Sequence, residues 1–232
     1  MINLRVEHVT TFLNKKKLID NISFVVKKGE VMALVGHNGA GKSTLLKTIM
    51  NVLEKQSGQI VIEETYDQDE HLLQFKERIS YLPEEPMLLS ELTCMQHFQL
   101  YGMSYKMNET TFHETLERDV KGFDLTEKWD AYPEQLSKGM RQKVQAICAL
   151  LPDVPVLLID EPFMGLDVYA KAYMIERLEE KKARGTSIIL TTHQLELLEG
   201  IADKYVLLQD GKITSAGPIH EFTTIKRRTD DD

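Results

Sequence analysis

Gly36-His37-Asn38-Gly39-Ala40-Gly41-Lys42-Ser43-Thr44 is the stretch on which the reading of this chain turns. It follows an apolar run, Val31-Met32-Ala33-Leu34-Val35, and opens onto Leu45-Leu46-Lys47-Thr48-Ile49-Met50, which reads as a helix. The spacing G-x-x-x-x-G-K-[ST] between a strand and a helix is that of a loop that holds a nucleotide polyphosphate. Gly36, Gly39 and Gly41 tolerate positive φ and close backbone approach, so successive N–H groups can face one anion. The helix beginning near Lys42 adds its own unpaired N–H groups and the positive end of its dipole. Lys42 is expected to reach the β- and γ-phosphates, and the Ser43 hydroxyl to ligate Mg²⁺. All nine residues, Gly36 through Thr44, are candidate nucleotide contacts.

A second element handles the same chemistry from further along. Val156-Leu157-Leu158-Ile159 is a continuous apolar run with Pro155 before it, as expected of a strand buried on both faces of a parallel sheet. Asp160-Glu161 follows at its carboxyl end, the edge where open α/β sheets put ligands. Two adjacent acids are costly there unless they meet a cation or protein donors. Neighbouring strand residues point in opposite directions, so the two carboxylates should do different jobs. Asp160 is expected to help hold Mg²⁺. Glu161 is expected to be the general base on the attacking water, a role worth roughly 10²–10⁴ in rate.

Outward from these two stretches, strands alternate with helices. Leu4, Val6 and Val9 suggest a first strand and Ile22 to Val26 a second, with Asn14 to Lys17 a solvated turn. Lys27-Lys28-Gly29-Glu30 reads as a hairpin turn feeding the strand before the phosphate loop. Gln59 to Ile62 returns as a strand, a short polar helix spans about 69–77, and Ile79 to Leu82 is a strand stopped by Pro83 and Pro86. From Leu92 to Trp129 glycine is scarce and apolar residues recur at helical spacing, as in Phe112, Leu116 and Val120. Another helix runs from Ser137 to Leu150, ended by Pro152. Asp167 caps a helix that stops at Gly185. Ser187 to Thr192 is a further buried strand, Gln194 to Gly200 a helix, and Tyr205 to Ser215 a hairpin on Asp210-Gly211. The tail from Lys226 to Asp232 reads as frayed. The fold class is α/β with a mostly parallel sheet, an N-terminal antiparallel part and a helical insert.

Composition bounds the alternatives. The chain has 232 residues, 42% hydrophobic and 28% charged, as in ordinary globular domains. A net charge of −8 disfavours broad attraction to nucleic acid. No apolar run reaches eighteen residues, so no membrane span is expected, and the start MINLRVEHVT carries no signal-like segment. Cys94 and Cys148 stand far apart and read as buried free thiols.

The order of Gly36–Thr44, Leu136-Ser137-Lys138-Gly139-Met140-Arg141-Gln142, Val154–Pro162, Phe163-Met164-Gly165-Leu166-Asp167 and Thr191-Thr192-His193 resembles the nucleotide-binding domain of ABC transporters. The match runs from about Leu4 to about Phe222. Its most discriminating part is the Leu136–Met140 element ahead of the acidic strand, because many phosphate-loop enzymes share the phosphate loop and the acidic strand. The resemblance implies a phosphate-loop NTPase core over about 1–85 and 151–225, a helical subdomain over about 86–150 and a charged tail over 226–232, all within one domain.

It also implies roles. Two such domains pack head to tail, as a homodimer or heterodimer, with ATP between the phosphate loop of one and the signature of the other. Ser137 and Gly139 match that signature, usually written LSGGQ. Lys138 and Met140 depart from it, the first adding positive charge near the incoming phosphates, and K-G-M signatures look like those of export-type systems. His193 falls where the family places a γ-phosphate switch, and Asp167 in the loop that couples the two sites. Phe12 lies where an aromatic stacks on adenine. Glu84 stands where the family usually has a glutamine that senses Mg²⁺ and the membrane partner, and a carboxylate there can still ligate Mg²⁺. The expected activity is ATP hydrolysis, with ATP and Mg²⁺ as cofactors, driving a transmembrane permease made by a separate chain. The expected location is the cytoplasmic face of the membrane, with no nucleic-acid partner. A soluble ABC-type ATPase acting on nucleic acid or ribosomes is the alternative, disfavoured by one compact copy and the acidic balance. A binder of ATP that does not turn it over is disfavoured by Glu161 and His193.

Overall fold

The computed structural model describes residues 1–192 and 198–222 of the chain. Two sheets of different character stack around the phosphate-loop helix. The first is antiparallel, with order β2-β1-β4-β5, from β1 (Ile2–Leu13), β2 (Lys16–Lys27), β4 (Ser57–Ile62) and β5 (Tyr66–Asp67). The second has order β10-β9-β3-β8-β7-β6. In it β3 (Val31–Val35), β6 (Ile79–Leu82), β7 (Val156–Asp160), β8 (Ser187–Thr191) and β9 (Lys204–Gln209) run parallel, and β10 (Lys212–Pro218) is an antiparallel edge. β3, β7 and β8 are buried at every position, as unbroken apolar runs require when both faces are covered.

One core lies between the sheets. Leu45, Leu46 and Ile49 of α1 (Lys42–Ile49) meet Leu4, Val6, Ile19 and Ile22 from one sheet and Leu34, Val206 and Leu208 from the other. The opposite face of the parallel sheet is covered by α3 (Cys94–Ser104), α4 (Glu109–Gly122), α5 (Lys138–Leu150) and α6 (Val168–Ala183). Short helices α2 (Leu72–Lys76), α7 (Leu198–Ile201) and α8 (Ile219–Phe222) complete the set. Cys94 and Cys148 are both buried free thiols.

Local chemistry explains the helix starts. Thr93 caps α3 in a reciprocal box with Gln96, and the Asn108 side chain accepts from the Thr110 and Thr111 amides at the start of α4. Ser137 and Asp167 cap α5 and α6, accepting from the Met140 and Ala170 amides.

One feature differs from the sequence reading. Lys27–Glu30 does form a tight turn, closed by the Glu30 amide on the Lys27 carbonyl at 3.0 Å. Its flanking strands do not pair, because β2 ends one sheet and β3 lies in the middle of the other. A five-residue run apolar at every position has to be buried on both faces, and a hairpin with half-exposed β2 cannot supply that. The turn is a crossing between layers. The expected helix over 194–200 and the tail over 226–232 fall largely or wholly outside the described residues, and so does His193.

Candidate active site

The phosphate loop leaves β3 at its carboxyl end and closes into α1. Gly41 is the residue before the helix, with φ of 107°, a conformation that a side chain resists. Gly36 is needed for a different reason. A Cβ there would lie 2.4 Å from the Leu208 carbonyl oxygen, so only hydrogen lets the loop pass over β9. The Lys42 ammonium donates to the carbonyls of Gly36 at 2.8 Å and His37 at 3.3 Å. Burial draws its pKa down, and the charges of Glu161, Asp160 and Glu84 oppose that shift. A buried ammonium facing three carboxylates across a cleft is arranged to share a bound ion of mixed charge.

That cleft has a volume of about 400 Å³. It gathers Asn38, Gly39 and Gly41 to Thr44 with Glu84, Asp160 and Glu161. Leu18 and Met164 add apolar lining; Met164 belongs to the Phe163–Asp167 stretch, and Leu18 was not singled out from the sequence. Leu18 sits on β2, in the other sheet, and only the stacking of the sheets brings it here. Gly36, His37 and Ala40 belong to the loop without lining the cleft.

Asp160 and Glu161 are both buried, at 3% and 5% exposure. They do not point to opposite faces as strand alternation would have them, since both line the one cleft. β7 ends at Asp160, and Glu161 turns into the left-handed region with φ of 53°, uncommon for a residue with a side chain. Held strain of this kind concentrates at functional sites. Thr191, opposite Asp160 in the parallel register of β7 and β8, holds the pair in place. Its hydroxyl donates to Asp160 Oδ1 at 2.6 Å and accepts the Glu161 amide at 3.1 Å. Thr191 is a positioning residue that the sequence reading missed. Its one signal was a hydroxyl at the end of an apolar run.

The donor set suits a hard cation. Ser43, Asp160 and Glu84 offer only oxygen, and Mg²⁺ is held by one or two carboxylates completed by water and substrate phosphates. Among the described residues no group of three or more His, Cys, Asp or Glu could hold a metal by itself, so phosphate oxygens would have to complete any such site. Tyr81, beside this group, has its phenol pKa raised by burial and by the charges of Asp160 and Glu84.

Ser137, Gly139 and Asp167 do not line the cleft. They form a second cluster, where the first turn of α5 abuts the loop entering α6. A Cβ on Gly139 would lie 2.8 Å from the Gly165 carbonyl oxygen. Lys143 of α5 reaches Asp167 at 2.7 Å, and this ammonium, with the Ala170 amide, holds the Asp167 carboxyl below the usual range. Lys138 pairs with Glu85 at 2.8 Å. Phe12 is 40% exposed at the tip of the β1–β2 hairpin, with the Lys17 ammonium 5.8 Å from its ring centre. It lines no part of the cleft either.

A family model described as ABC transporter matches residues 19–164. The "ABC-type transporter ATP-binding protein EcsA" of Bacillus subtilis (strain 168) is 33% identical over 220 residues, covering 94% of this chain and 88% of that protein. The "SkfA peptide export ATP-binding protein SkfE" of the same organism is 31% identical over 195 residues, covering 84% and 80%. A solved structure described as the ATP binding subunit of an ABC transporter superimposes with a TM-score of 0.90 at 36% identity, covering 94% of this chain and 91% of that one.

Proposed function

Because this chain belongs to the ABC transporter family, among relatives that are its ATP-binding subunits, we propose that it hydrolyses ATP to drive a permease carried on a separate chain. The observation that carries the reading is one cleft in which the Asn38–Thr44 loop faces Glu84, Asp160 and Glu161. Lys42 and the loop amides take the β- and γ-phosphates. Ser43, Asp160 and Glu84 would hold Mg²⁺, whose chemistry when bound is to neutralise phosphate charge. Glu161 accepts a proton from water as its oxygen attacks the γ-phosphorus, and the bridging oxygen leaves with ADP. Phe12, half out in solvent on its hairpin, offers a face for adenine.

The chain carries two surfaces, the cleft and the cluster at the start of α5, and the second does not line the first. Ser137, Gly139 and Asp167 lie apart from the cleft, so we infer that they serve the cleft of a second copy, clamped head to tail over ATP. Pairing with itself gives this chain two complete sites, each with its own base. His193 is assigned to the γ-phosphate by family position alone. We propose one domain, with core over about 1–85 and 151–225, helical part over about 86–150 and tail over 226–232.

Among the described residues no helix is long and apolar enough to cross a membrane. We place the subunit on the cytoplasmic face, held there by its permease. Exposed apolar side chains stand on the elements by which the helical part joins the core: Leu72 and Leu73 on α2, Met87 and Leu89 after the Glu84 loop, and Met103 at the end of α3. The Lys106–Glu77 ion pair and the Tyr105 hydroxyl on the Ile79 carbonyl tie α3 to α2 and β6 there. This is the docking surface we propose. Export is the direction we infer, from the Lys138-Gly139-Met140 departure and from SkfE, described as serving peptide export.

Steady-state ATPase at saturating ATP tests the chemistry. Glu161→Gln should bind ATP and lose turnover by roughly 10²–10⁴. Near-normal turnover would remove Glu161 as the base.

A further inference from the structure

Beside the phosphate-handling residues lies an ion pair that the proposed chemistry does not use. Lys138, between Ser137 and Gly139, holds its ammonium 2.8 Å from Glu85 of the same chain. Both side chains are more than half exposed, at 57% and 68%. Such a pair is weak and exchangeable, since water screens it and two long side chains must be ordered to form it. Glu85 is also the neighbour of Glu84, which lines the cleft. One carboxylate of this loop therefore faces the chain's own nucleotide site, and the next holds the cation of the surface assigned to a second copy.

We propose that Lys138 is a shared cation, held by Glu85 in the separate chain and released to the γ-phosphate of ATP lodged in the facing copy when two chains clamp. This rests on the clamp reading above. An ammonium flanked by Ser137 and Gly139 goes wherever those two residues go, so it arrives at the phosphate they contact. A γ-phosphate carries more negative charge than one carboxylate and, once enclosed between two copies, is less screened than Glu85 at the surface. Exchange of partner therefore favours the clamped state. Glu85 acts against it, because each clamp closure must first break the Lys138 pair. The Lys-for-Gly departure at 138 thus adds a contact in trans, and Glu85 sets the ATP level at which that contact is made.

The two variants have opposite signs. In a Glu161→Gln parent, the ATP–Mg²⁺ concentration giving half-maximal dimer is read by light scattering. Lys138→Gln should raise it about two- to fivefold, and Glu85→Gln should lower it by a similar factor, the range an exposed ion pair supports. With Lys138→Gln already present, Glu85→Gln should have no further effect. Binding of a fluorescent ATP analogue to the dilute, separate chain should be unchanged in all three variants. The proposal is overturned if Glu85→Gln leaves the half-point unchanged or raises it, if its effect survives in the Lys138→Gln background, or if Lys138→Gln weakens binding to the separate chain. A parent that forms no dimer with ATP overturns the clamp reading itself. A parent that dimerises but ignores Glu85 overturns only the shared cation.

Discussion

Thr191 shows how much of the site hangs on one hydroxyl. It donates to Asp160 and accepts from the backbone of Glu161, so it fixes the carboxylate assigned to Mg²⁺ and the backbone of the assigned base. Thr191→Val keeps the shape and removes both interactions. Leaving a buried partner unsatisfied costs on the order of 1–3 kcal/mol. If that is lost mainly in the transition state, kcat should fall roughly 5- to 150-fold while ATP binding changes little, and Thr191→Ser should restore most of it. Steady-state kinetics on the three proteins checks this; a Thr191→Val enzyme with native kcat would show that the hydroxyl positions nothing that matters. The phosphate loop, Asp160 and Glu161 were legible because their spacing is local and its chemistry is specific. Thr191 was not, because its meaning comes from the register of two strands thirty residues apart. The backbone turn at Glu161 was also hidden: a left-handed residue with a side chain leaves no trace in composition.

Among elements, α4 and α6 are joined by charge. Asp119 is fully buried and meets Arg177 at 2.8 Å, receives the Tyr173 hydroxyl at 2.7 Å, and has Arg118 at 3.4 Å. Glu180 accepts from Arg118 and Arg177 at the rim. Gly122 leaves room for the Tyr173 ring, where a Cβ would lie 2.2 Å away. Removing Asp119 takes from buried Arg177 one of its two carboxylate partners and leaves Glu180, so Asp119→Ala should cost about 1.5–3 kcal/mol of unfolding free energy by denaturant titration. The Asp119→Ala, Arg177→Met double variant should lose much less than the two single losses added together. Lys181, one turn further along α6, behaves differently. Burial lowers its pKa to about 8 despite Asp153 nearby. Between pH 8 and its ordinary value near 10.5 the unfolded chain binds the proton and the folded chain does not, so stability rises with pH across that window. Relative to Lys181→Met, which lacks this titration, the native chain should gain stability from pH 8 to 10; thermal unfolding of both at each pH is the check. The caps Ser137 and Asp167 could be read from sequence because a cap is a matter of a few residues. Asp119 could be read only in part: helical spacing sets it on the apolar stripe of Phe112, Leu116 and Val120, but its partner Arg177 lies far away in sequence and only packing supplies it.

For the whole molecule, the class was readable and the stacking was not. Apolar runs followed by helices signal a parallel sheet, and β3, β7 and β8 are such runs. Nothing local shows that the Lys27–Glu30 turn passes from one sheet to another, because a tight turn looks the same whether its arms pair or part. The proposed docking surface also belongs to this scale, being assembled from α2, α3 and the segment after Glu84. Leu73→Asp with Met103→Asp places charge on two side chains that are 76% and 72% exposed, which should not unfold the chain. The variant should fall about tenfold in the membrane fraction of cells making it with its permease, measured by quantitative blotting. Equal recovery would move the docking surface elsewhere.

The strand order has a consequence for synthesis. β8 (Ser187–Thr191) lies between β3 and β7, and β9 (Lys204–Gln209) flanks β3 on its other side. The loop made first and the acids made much later therefore have no shared sheet until the last fifth of the chain is supplied. A growing chain on the ribosome carries its nucleotide loop early, yet the strand that seats it beside Asp160 emerges near the end. Until then an apolar β3 waits without neighbours, as a non-local parallel sheet demands. Binding of nucleotide is thus a property of the finished polypeptide, and the exposed interval before β8 arrives is when a chaperone has most to shield.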